Sequence, residues 1–222
     1  MNGNIVNRQR QLILVLTLCA LGVALAQSFA SLTVTPRGSQ NFDLSTNITT
    51  LDEGGLVVDK ETGLELEADF IRFEEGSFIE AEAARVLGKF GSLATRQLFV
   101  DSVENVITAE GDITLNYNDL NLTANALTIY SEQDVVVLEG NVQSDLPSFE
   151  SERLAIYLDT EQALLLSPYT YTNGTLSLRQ TSAGKLLQLS PRSDAADIAN
   201  YNASTTVTPD LLAQLEPYLG QP

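Results

Sequence analysis

Residues 107–118 read I-T-A-E-G-D-I-T-L-N-Y-N, and this stretch decides the fold. Ile107, Ala109, Gly111, Ile113, Leu115 and Tyr117 take every second position, with Thr108, Glu110, Asp112, Thr114, Asn116 and Asn118 between them. Side chains two apart share a face of a strand. The segment is therefore a strand with one apolar and one wet side.

The stretch belongs to a repeat. The copies read E-A-D-F-I-R-F from Glu67, A-T-R-Q-L-F-V from Ala94, T-A-N-A-L-T-I-Y from Thr123 and E-S-E-R-L-A-I-Y from Glu150. Aligned on Phe73, Val100, Tyr130 and Tyr157, they are spaced 27, 30 and 27 residues apart. The last three copies each run on into an apolar strand with a turn-like site: Glu110-Gly111-Asp112, Glu139-Gly140-Asn141 and Leu166-Ser167-Pro168. A fixed period of this size means stacked units, none able to bury its apolar face alone. Such an organisation favours a scaffold or a groove over a compact catalytic pocket.

Alternation of the same kind marks Leu64 to Phe70, Val136 to Val142 and Leu176 to Leu178. Val135 and Val137 make the opposite face of their segment apolar too. Turn signals such as Glu74-Glu75-Gly76, Asn118-Asp119 and Asn173-Gly174 separate the runs. Glu80 to Val86 has helix-forming letters but lies within the repeat and reads as a strand. Short turns between strands predict antiparallel pairing. Near the end, Thr208-Pro209-Asp210 precedes Leu211, Leu212, Leu215 and Leu219. A capping threonine and a proline at the first helical position predict a short helix over 209–218.

The first 26 residues read as an export signal. Arg8 and Arg10 precede an uncharged apolar run, Leu12 to Ala26, ending Ala24-Leu25-Ala26. That run is shorter than the roughly 20 residues of a membrane span; an uncleaved inner-membrane anchor is the alternative. Cys19 lies inside the run, so the mature chain has no cysteine and no internal disulfide. Setting the signal aside leaves 29 acidic against 10 basic residues, a net charge of −19. That charge repels nucleic acid and acidic membrane surfaces.

The 222-residue chain has no histidine and no tryptophan. No Ser-His-Asp triad, Cys-His dyad or histidine-based zinc site can be built. Gly88-Lys89-Phe90-Gly91-Ser92 lacks phosphate-loop spacing. Ser182-Ala183-Gly184-Lys185 fits S-x-x-K but lacks the S-D-N and K-T-G elements that accompany it in penicillin-recognising enzymes. The reading is non-enzymatic, with no catalytic residue, metal site or cofactor. Lys89, Arg96, Arg153 and Arg179 are expected to pair with neighbouring carboxylates rather than with a lipid phosphate.

The pattern in Thr123-Ala124-Asn125-Ala126-Leu127-Thr128-Ile129-Tyr130, followed by Val137-Leu138-Glu139-Gly140-Asn141-Val142, resembles the OstA-like domain of the LptA/LptC lipopolysaccharide-transport group. The copy leading to Ala109-Glu110-Gly111-Asp112-Ile113 is the next best match. The resemblance spans roughly residues 60 to 175. It implies an all-β, repeat-built antiparallel β-jellyroll, folded like a taco, with acyl chains of an amphipathic envelope lipid in its apolar interior. It also implies edge-to-edge association with other β-jellyroll transport proteins or with further copies. The acidic charge favours a cation-bridged head group, or a lipid other than lipopolysaccharide.

The expected organisation is a signal peptide at 1–26, an extended lead-in or early edge strand at 27–55, the OstA-like domain at 56–190, and a C-terminal loop with a short helix at 191–222. The lipid-groove candidates are Ile107, Ala109, Ile113, Leu115, Tyr117, Leu127, Ile129 and Val137. The expected location is the periplasm or cell envelope. The rival reading is a structural or adhesion β-solenoid module with a solid core.

Overall fold

Period-two alternation becomes strand throughout the computed structural model, which describes residues 32–192 and 201–220. The signal and the anchor alternative lie outside the described residues. The first half supplies β1 (Leu32–Pro36), β2 (Gln40–Asp43), β3 (Ile48–Leu51), β4 (Gly55–Asp59), β5 (Leu64–Ala68), β6 (Phe70–Glu74), β7 (Phe78–Gly88) and β8 (Gly91–Asp101). The second half supplies β9 (Val106–Tyr117), β10 (Leu120–Tyr130), β11 (Val135–Asp145), β12 (Ser148–Tyr157), β13 (Gln162–Asn173), β14 (Leu176–Gln180), β15 (Leu186–Pro191) and β16 (Tyr201–Ser204). All 16 belong to one antiparallel sheet, and among the described residues β1, β2, β14 and β16 each have one strand edge without a ladder partner. The lead-in is thus three strands, and Glu80 to Val86 lies within β7.

The turn-like sites of the repeat are β-bulges inside continuous strands. Pairing slips by one residue between Ala94 and Gln97, between Ala124 and Ala126, between Glu139 and Val142, and between Ser151 and Arg153. At two of these sites a glycine and its successor both adopt positive φ: Gly111 at 77° with Asp112 at 52°, and Gly140 at 71° with Asn141 at 52°. An extra residue on one strand bends it and sharpens its twist. Buried hydroxyls satisfy the carbonyls freed there. Thr95 Oγ1 lies 2.9 Å from the Glu110 carbonyl oxygen, and Ser151 Oγ lies 2.8 Å from that of Leu166. Replacing Gly140 by alanine is expected to cost about 1–2 kcal/mol through the left-handed backbone. A urea midpoint unchanged from wild type would show that the bulge does not hold this conformation.

The aligned bulges form a crease. Leu158 follows directly on Tyr157, which pairs with Val135, then Tyr130, then Val106 across successive strands. In a flat sheet Tyr117, eleven residues beyond Val106, would lie about 36 Å from that level at 3.3 Å per residue. Instead the Tyr117 hydroxyl donates to the Leu158 carbonyl at 3.0 Å. Asn173 at the end of β13 likewise donates through Nδ2 to the Tyr201 carbonyl at 3.1 Å. The sheet is doubled over, and its two leaves meet face to face.

Directly paired residues run across each leaf in rows. In the first leaf, Phe73 pairs with Ile79, then Val100, Ile107, Ile129, Val136, Ile156, Ala163 and Leu189. In the second, Val57 pairs with Leu66, then Val86, Leu93, Leu115, Leu122, Ser144, Phe149 and Tyr171. These registers correct the repeat alignment. Phe73 and Val100 share the inward row with Ile129 and Ile156, whereas Tyr130 and Tyr157 sit one residue further on and face outward. A one-residue offset in a strand moves a side chain to the other face.

A second, smaller core lies on the outside of the first leaf. Helix α1 (Pro209–Leu215) and a following 3₁₀ turn (Glu216–Tyr218) lay Leu211, Leu215 and Leu219 on Val135, Val137, Ala155 and Leu164. The Tyr130 and Tyr218 rings meet at 4.7 Å between centroids. Pro209 opens the helix as expected, but the Thr208 side chain makes no capping hydrogen bond; its backbone N–H donates to Gln188 Oε1 at 2.8 Å. The expected loop also contains β16, whose Tyr201 is buried. Four residues are too few for alternation to announce a strand.

Candidate functional site

Seven of the eight groove candidates converge between the leaves. Ile107, Ala109, Ile113, Leu115, Tyr117, Leu127 and Ile129 all belong to one apolar cluster and are at most 5% exposed. Val137 does not join them. It pairs with Thr128 and Ala155, faces out of the first leaf and is covered by the terminal helix. Val135 to Leu138 is apolar on both faces because β11 carries a core on each side. Alternation cannot rank two faces that are both covered.

The interior is closed. Its largest side chains, among them Leu51, Leu66, Leu93, Leu115, Leu138 and Tyr171, are less than 2% exposed. Two surface clefts lie elsewhere. One of about 680 Å³ sits between the terminal helix and β13–β15, lined by Leu166, Leu186, Leu212 and Leu219. The other, about 210 Å³, lies along the crease beside Glu150, Glu152 and Arg179.

Polarity is unevenly distributed along the interior. From β3 to β8 the buried residues are mainly aliphatic or phenylalanine, with Thr49 at the far edge and Thr95 in the crease as polar exceptions. From β9 onward the interior adds Tyr117, Tyr169, Tyr171 and Tyr201, together with Ser144. The Ser144 hydroxyl is buried without a hydrogen-bond partner, a costly arrangement in an apolar setting. Asn173 lies in a turn signal and Tyr201 in a loop-like stretch of the sequence, and nothing in their local patterns announces that they meet.

Desolvation first, then the charge of Glu161, pushes the Tyr117 hydroxyl up to about 12. Tyr201 is pushed up further by the same causes in the same order. The fold favours the neutral phenol. The associated stability is therefore intact below the ordinary tyrosine pKa near 10 and is lost as pH rises through about 12. The denaturation midpoint is expected to fall above pH 10, and Tyr117→Phe to flatten that fall. Equal slopes in the two proteins would exclude Tyr117 as the linked group.

The outer surface pairs several of its few cations. Arg96 Nε contacts Asp112 Oδ2 at 2.9 Å across the first bulge, and Arg153 pairs with Glu139 beside the second. Arg37 bridges Glu67 and Asp69 at 2.8 Å each. Exposed pairs of this kind are screened by solvent and add little to stability. Among the described residues no group of three or more Asp, Glu, Cys or His side chains is placed to hold a metal ion. No helix among them is long and apolar enough to cross a membrane.

No protein-family model matches the chain, and no curated protein sequence matches it.

Proposed function

We propose that the protein is a non-enzymatic carrier of an amphipathic envelope lipid, of the lipopolysaccharide-transport kind, acting in the periplasm and meeting partner jellyrolls through its sheet edges. One observation carries this reading: the apolar leaves are two halves of one creased sheet, and side-chain hydrogen bonds join their lips at Tyr117–Leu158 and Asn173–Tyr201. Parting the lips there breaks no rung of the sheet ladder. Each such hydrogen bond contributes about 1 kcal/mol net. Each lipid methylene taken from water contributes about 0.8 kcal/mol, so a chain of a dozen carbons supplies on the order of 10 kcal/mol to set against opening and repacking.

The filled interior favours a second reading, a structural or adhesion module of the envelope. Native mass spectrometry of protein purified gently from its own envelope, followed by lipid extraction, separates the two. The carrier reading expects an amphipathic lipid in near-stoichiometric amount. A lipid-free protein that still forms concentration-dependent oligomers would transfer the assignment to the structural module.

A further inference from the structure

The two halves of the interior differ in chemistry, and that difference gives it a direction. Both lip hydrogen bonds fall in the C-terminal half: Tyr117 closes β9 onto the end of β12, and Asn173 closes β13 onto β16. The buried phenols lie in the same half, and Asn173 Nδ2 also approaches the Tyr171 hydroxyl at 3.3 Å. The unpartnered Ser144 hydroxyl lies in the second-leaf row between Leu122 and Phe149, and Phe149 pairs with Tyr171. The opposite half offers Leu51, Ile71, Phe73 and Ile79.

We propose that an amphipathic lipid enters at this C-terminal mouth, where Tyr117, Ser144, Tyr171 and Tyr201 receive its carbonyl-bearing ester or amide linkage, with its acyl chains directed toward the aliphatic half between β3 and β8. The inference rests on the carrier reading and adds the entrance, the orientation and the class of group recognised. Protonated phenols and a serine hydroxyl are donors suited to ester and amide carbonyls. Glu161 bears on both Tyr117 and Tyr201, and Asp159 on Tyr117, so carboxylates stand beside these phenols. Those carboxylates disfavour a bare phosphate against the phenols and favour an uncharged or cation-bridged head there. Closing the mouth with side chains leaves it able to part at the end where the phenols and Ser144 wait, whereas the buried residues described at the other end are mainly aliphatic or phenylalanine.

Two monopalmitoylglycerol photoprobes test this on the folded mature protein, one with a diazirine on the glycerol and one with a diazirine at the chain terminus. Peptide mapping after irradiation is expected to place the glycerol label on peptides containing Tyr117, Ser144 or Tyr171, and the terminal label on those containing Leu51, Ile71 or Phe73. Reversed or evenly mixed labelling overturns the orientation while leaving the carrier reading in place. No interior labelling by either probe overturns both. Asn173→Ala removes one lip bond and is expected to speed probe uptake several-fold and to raise amide exchange around Tyr201 without lipid; unchanged uptake and exchange overturn the entrance. Ser144→Ala is expected to weaken probe binding several-fold while the melting temperature holds or rises. Unchanged affinity overturns its role in binding.

Discussion

Leu115→Asp is expected to abolish the cooperative folding transition. Leu115 is fully buried, pairs with Leu93 and Leu122 within its leaf, and faces the other leaf across the interior. Truncating a buried leucine costs about 2–5 kcal/mol by itself. An unpaired buried carboxylate adds several more, whether it stays charged or is forced to take up a proton. Together they rival the 5–15 kcal/mol that holds an ordinary domain folded. Leu115→Ala, which leaves a cavity without a charge, is expected to lose about 3 kcal/mol and remain folded. Chemical denaturation followed by far-ultraviolet circular dichroism separates these outcomes. A folded aspartate variant with a wild-type midpoint would mean that the two leaves do not meet at this row. The same reasoning bears on lipid capture: loss of crosslinking in Leu115→Asp would report lost folding as readily as a lost groove.

The second large effect concerns the outer core. Helix α1 has seven residues, too few to be stable in isolation, so its helicity depends on docking. Burying Leu211, Leu215 and Leu219 contributes about 1.5–3 kcal/mol each. Leu215→Asp is expected to release the helix at a cost of about 3–5 kcal/mol. Release would uncover Val135, Val137, Ala155 and Leu164, a contiguous apolar strip on the outside of the first leaf. Such strips drive association. The variant should bind a hydrophobic dye, elute as a larger species and keep its β-sheet circular dichroism. If it stays monomeric and dye-silent, the helix does not shield the strip.

Much of the fold was legible because strand faces are written in the sequence at period two. The row Ile107, Ala109, Ile113, Leu115 and Tyr117 was read directly from alternation, and these residues share the interior with Leu127 and Ile129. Alternation puts Val137 inward, but β11 is covered on both faces and Val137 lies in the outer core. The letters of the repeat match best with Tyr130 and Tyr157 aligned on Phe73 and Val100, yet cross-strand partners put the two tyrosines on the opposite face from Phe73 and Val100. The Gly-Asp and Gly-Asn steps were recognised as breaks, but their role depends on neighbours. Within one strand a glycine at positive φ looks the same in a turn and in a bulge; only continued pairing on both sides distinguishes them.

Periodicity and composition are enough to specify an antiparallel all-β chain built from a repeat of nearly thirty residues, a terminal helix opened by Pro209, and the absence of histidine chemistry. Each of those is a local property, set by side-chain periodicity, by the missing N–H of a proline or by composition. That the bulges align into a crease, that Tyr117 reaches Leu158 and Asn173 reaches Tyr201, and that the interior is filled with its buried tyrosines in the C-terminal half are matters of tertiary packing. Those features join residues as many as 41 positions apart. They depend on the summed bend and register of many strands, a geometry that no single strand's alternation specifies.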